Sequence, residues 1–72
     1  MSKNKIYVVT MYINGNRDSH SYVLGAYIKK SLALSEANKE ENDRGGKYLS
    51  EILKYNYNET NSQPKEIKGL FK

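Results

Sequence analysis

Seventy-two residues, 38% of them hydrophobic, make one small domain whose apolar burial only narrowly outweighs the entropy of folding, so a second domain is excluded. The chain has no cysteine, which removes disulfides and thiolate metal sites, and its single histidine, His20, cannot build an imidazole zinc site. Twelve Lys and Arg against eight Asp and Glu leave a net charge of +4, an excess that favours acidic partners without requiring them.

The amino end, MSKNKIYVV, lacks the apolar run of a signal peptide, and no later stretch reaches the length of a membrane span. The expectation is a cytoplasmic protein with no membrane contact. Residues 5–13, KIYVVTMYI, are β-branched and aromatic and read as a strand; residues 21–28, SYVLGAYI, read likewise. Between them NGNRDSH carries Asn14-Gly15, a pair suited to positive φ, with Asp18 and Ser19 for local side-chain turns. An antiparallel hairpin follows.

Register decides which side chains share a face. A two-residue turn at Asn14-Gly15 would set Val9 opposite His20 and Met11 opposite Asp18, a poor match. A longer loop over residues 14–20 pairs Tyr12 with Tyr22, Thr10 with Leu24, Val8 with Ala26 and Ile6 with Ile28, and is preferred. That register puts Tyr7, Val9, Met11, Val23, Gly25 and Tyr27 on the reverse face.

KKSLALSEANKEENDRGG reads as a short helix with Ser31 as its N-cap, a thin stripe of small apolar residues and Gly45-Gly46 as its stop. Residues 47–58, KYLSEILKYNYN, return to a period of two, with Leu49, Glu51, Leu53, Tyr55 and Tyr57 on one side and Tyr48, Ser50, Ile52 and Lys54 on the other. The polar remainder contains the only proline and reads as a flexible or docking tail, its Ile67, Leu70 and Phe71 standing at helical spacing and able to form a final docking turn. The expected fold is α+β: a ββαβ domain over residues 1–58, with a three-stranded antiparallel sheet and one helix, and a tail over 59–72.

One helix covers one face of a sheet, yet both faces of this hairpin are apolar. The reverse face, with Tyr7, Val9, Met11, Val23, Gly25 and Tyr27, is therefore expected to need a cover: the tail, a second copy in a homodimer, or another protein. Within it Gly25 would permit a close approach.

Residue types for catalysis occur but do not assemble. Asp18, Ser19 and His20 are neighbours on one loop and cannot converge as a triad. Glu36 and Glu40 share a helical face, but no second helix completes a metal site. Gly45-Gly46-Lys47 follows a helix instead of preceding one, unlike a phosphate loop. The expectation is no enzyme, no cofactor and no metal.

KIYVVTMY, SYVLGAYIKKSLALSEANK and GGKYLSEILKYNYN together resemble short phage and bacterial proteins of uncharacterised function, over about residues 5–58. Gly25-Ala26-Tyr27 fills the glycine position of that pattern, and Ala33 and Ala37 fill its helix positions. The resemblance implies a phage-type accessory protein acting in the bacterial host cell, and it transfers no catalytic residue. The expected function is binding and modulating or inhibiting a host bacterial protein, in host takeover or against a defence component, through an aromatic and basic sheet surface. Its contact residues would be Tyr7, Val9, Met11, Val23, Gly25, Tyr27, Lys54, Tyr55 and Tyr57. Nucleic-acid binding, or sequestration of a nucleotide signal by an oligomer, is the competing class.

Overall fold

The structure is a computed structural model that describes residues 5–56 and 63–70. In chain order these form β1 (Lys5–Ile13), β2 (Ser21–Tyr27), α1 (Lys30–Asp43), β3 (Tyr48–Asn56) and β4 (Lys65–Lys68). The strands build one antiparallel sheet in the order β2-β1-β3-β4, with α1 packed on one face. The sheet thus has four strands and not three: residues 65–68, expected within a tail, pair with β3. KEIK is short, polar and preceded by Pro64, so its strand signal was weak. No helix among the described residues is long and apolar enough to cross a membrane.

The hairpin opens with Asn14 and Gly15 both at positive φ, 53° and 70°, and the Asn16 amide donates to the Ile13 carbonyl. The loop does not close there. It runs on until the Ile13 amide meets the His20 carbonyl. Val8 pairs with Ala26 as expected, but Tyr12 pairs with Ser21 and Tyr22 with Met11. Leu24 is the extra residue of a bulge opposite Val9 and Thr10, and it shifts the register beyond it by one.

That shift moves Val23 to the face opposite α1, where it is 63% exposed, and turns Leu24 onto the core. A second bulge, in β4 opposite Ile52 and Leu53, does the same for Ile67. Each outer strand therefore uses one bulge to send an additional apolar side chain toward the helix.

Ala33 and Ala37 are fully buried beside Val9, Met11 and Ile52, with Tyr7 7% exposed at the end of the cluster. Alanine at the contact lets the helix lie close to the sheet. Each of Val9, Met11 and Ile52 contributes about 1.5–3 kcal/mol through burial. The helix begins after Lys29 without a side-chain cap, and Ser31 lies inside its first turn, so the expected Ser31 cap is not formed. It ends as expected, with Gly45 and Gly46 both at positive φ.

The face covered by α1 is the reverse of the one expected to be core. β2 and β3 run parallel on either side of β1, so α1 is a crossover connection, and such connections are right-handed. Ile13 bonds toward β2, so the odd-numbered residues of β1 direct their hydrogen bonds to that side. For L-residues, a right-handed crossover then lies over the odd-numbered side chains: Tyr7, Val9 and Met11. Handedness made a choice that hydrophobicity left open.

Candidate functional site

Six of the nine expected contact residues lie on the side of the sheet that α1 covers. Tyr7, Val9 and Met11 are buried under α1, and Gly25 and Tyr27 lie on the same covered face. What approaches Gly25 is its own neighbour: a Cβ there would stand 2.7 Å from the Tyr27 hydroxyl. Lys54 pairs with Tyr7 and shares the helix side, while Tyr57 lies outside the described residues. Val23 and Tyr55 do reach the open face, 63% and 38% exposed.

The open face is built from the alternate residues of each strand. Ile6, Val8, Thr10 and Tyr12 of β1 stand opposite Tyr55, Leu53, Glu51 and Leu49 of β3, with Ala26 and Val23 on the β2 side. Ile6, Val8 and Ala26 were expected on the core face. They are instead only partly buried, and Ala26 is exposed.

One end of this face is closed by the 14–20 loop. Arg17 reaches across to form an ion pair with Glu51, which also accepts a 3.3 Å hydrogen bond from the Tyr12 hydroxyl. The Arg17 guanidinium lies 5.6 Å from the centre of the Tyr12 ring. Burial, followed by the Glu51 charge, pushes the Tyr12 phenol above its ordinary range. Glu51 is only 7% exposed, so this pair holds the loop down over β1 and β3 and leaves uncovered the Val8, Leu53 and Tyr55 end, and Val23 on the outer strand.

Two helix acids, Glu40 and Glu41, are tied into contacts with the sheet. Glu41 accepts hydrogen bonds from the Ser50 amide at 2.8 Å, the Ser50 hydroxyl at 2.6 Å and the Lys68 ammonium at 2.8 Å. Burial pulls the Glu41 carboxyl upward, but these bonds outweigh it and hold the group below its ordinary range. Glu40 accepts from the Tyr22 hydroxyl at 2.5 Å and from Arg44 at 3.2 Å. Arg44 in turn lies 5.3 Å and 5.5 Å from the Tyr22 and Tyr48 ring centres, with His20 bonded to the Tyr48 hydroxyl. Both groups are internally satisfied, and they join α1 to the sheet at its carboxyl end.

Toward the opposite end of the helix side lysines gather, with Glu36 of α1 near enough to act on Tyr27. Lys54 stands directly opposite Lys65 on β4, and Lys5 lies two residues from its β1 partner Tyr7. The Lys54 ammonium is held below the usual lysine range by partial burial, then by Lys5, Lys65 and Lys30. These lysines come from four separate elements and are far apart in the sequence.

No protein-family model, curated protein or solved structure matches the chain. Its function is therefore argued from its own surfaces.

Proposed function

We propose that this chain is a non-enzymatic binding protein of the phage accessory type, which engages and modulates a bacterial protein through the open face of its sheet. The observation that carries the reading is the bare apolar part of that face: Val23 and Tyr55, 63% and 38% exposed, with Ile6, Val8, Ala26 and Leu53 between them. Isolated exposed apolar residues need no explanation, but a contiguous set on one sheet face is the pattern of a contact surface. Tyr55 supplies a large ring with a polar tip, suited to an anchor at the centre of such a contact.

The expected combination of aromatic and basic contacts is divided by strand alternation. Tyr55 lies on the open face and Lys54 on the helix side, so one flat partner cannot meet both. This weakens base stacking between lysines as the function, since the open face of β3 carries no lysine.

The test is capture from bacterial lysate followed by reconstitution with the purified partner, comparing the native chain with Val23→Asp and Tyr55→Ser. Each substitution should lower affinity at least about tenfold, while K54A leaves it unchanged. Equal affinity for all variants would refute the face. A second copy seated on the same residues is the alternative occupant, and sedimentation at rising concentration would reveal it as a dimer that V23D dissociates.

A further inference from the structure

We propose that Lys5, Lys30, Lys54 and Lys65 together bind a compact polyphosphate group, of the kind carried by a nucleoside triphosphate, where α1 begins. The placement is set by the backbone. Tyr27, Tyr7, Lys54 and Lys65 form one row across all four strands on the helix side, and Lys5 belongs to the same face of β1. Lys30 is the first residue of α1, which starts three residues after Tyr27.

Like charges directly opposite each other on neighbouring strands oppose folding, so Lys54 and Lys65 are an unfavourable pair unless something neutralises them. The ion pairs among the described residues are Arg17–Glu51, Arg44–Glu40 and Lys68–Glu41, and none uses these lysines. Lys54 faces Lys65, Lys5 stands on the same side two residues from Tyr7 in that row, and Lys30 opens α1, so the four charges form one cluster at the margin of the helix side, close enough for Lys5, Lys65 and Lys30 to act on the Lys54 ammonium. A single cluster of four charges suits a compact, highly charged anion better than an extended nucleic-acid backbone. Lysine binds phosphate as a point charge, without the fixed fork that a planar carboxylate would reward with arginine. Tyr27 folds back over Gly25, so no stacking platform is offered and the site reads charge, not base.

This inference is independent of the partner-binding face, which lies on the other side of the sheet. The probe is sodium tripolyphosphate added to the full chain, with sodium chloride at equal ionic strength as the control. Saturation at about a hundredfold excess over Kd should raise the melting temperature by about 10 °C. K54A and K65A should each weaken binding about tenfold and, with no ligand present, melt no lower than the native chain. A response matched by chloride, or unchanged affinity in both variants, would overturn the proposal. So would a short oligonucleotide that binds more tightly than tripolyphosphate, with a steep salt dependence, because that would assign the lysines to a nucleic-acid backbone. Glu59 lies outside the described residues, and E59Q supplies the remaining control. Binding that arises only in E59Q would mean that the chain neutralises its own lysines.

Discussion

The two faces of the sheet are near equals in composition and opposites in fate. Val9, Met11 and Ile52 are entirely buried under α1, whereas Val8, Leu53 and Val23, one or two positions away, remain partly or largely exposed. What separates them is the phase of the hairpin hydrogen bonds combined with the right-handed sense of the β2-α1-β3 crossover. An apolar residue in a half-covered sheet is thus assigned to core or contact by chirality before its own hydrophobicity counts.

The largest contrast should come from truncating the two faces in turn. Ile52→Ala is expected to cost about 2–5 kcal/mol in urea unfolding, enough to leave so small a domain barely folded. Val23→Thr, on the bare face, should change stability by no more than about 0.5 kcal/mol. Equal costs would contradict the assignment of faces. Enlarging the helix contact sharpens the same point: Ala37→Leu should destabilise by about 1–3 kcal/mol, since alanine sets the distance between α1 and the sheet.

The ion pairs divide in the same way. Glu41 has its folded pKa depressed below the unfolded value, so its contribution is fully present above the ordinary value of 4.5 and is lost as pH falls through the folded value. Glu41→Gln should cost about 1–2 kcal/mol at neutral pH and close on the native chain as the medium is acidified, a convergence that unfolding curves at several pH values would show. The open-face pair is worth less. Arg17 is about half exposed, so Arg17→Ala should cost at most about 1 kcal/mol, and its clearer signature would be faster amide exchange in residues 14–20.

Much of this fold was legible in the sequence. The strands at 5–13 and 21–27, the second one residue shorter than expected, the helix stop at Gly45-Gly46 and the alternation of β3 all follow from local pattern, and the long loop correctly paired Val8 with Ala26. The bulge at Leu24 was not legible, because an inserted residue preserves composition while reversing the alternation beyond it. Nor was β4, whose Lys and Glu suit an exposed outer strand but give little hydrophobic period. Of the expected contact residues, Val23 and Tyr55 stand on the bare face, the first only because the bulge put it there. The lysine cluster could not be read from spacing, since Lys5, Lys30, Lys54 and Lys65 meet only once strand order is known.

Glu41 has a consequence beyond holding the helix in place. The ladder between β3 and β4 ends at Ile52 and Lys68, and past it the Ser50 amide would be a free donor on the margin of the sheet. A helix carboxylate occupies that donor, so an incoming extended chain finds no hydrogen-bonding template there. If the sheet ever grows, by fibril formation or by accepting a peptide strand, it should grow from the outer edges of β2 and β4, and replacing Glu41 would open a further front for aggregation beside β3.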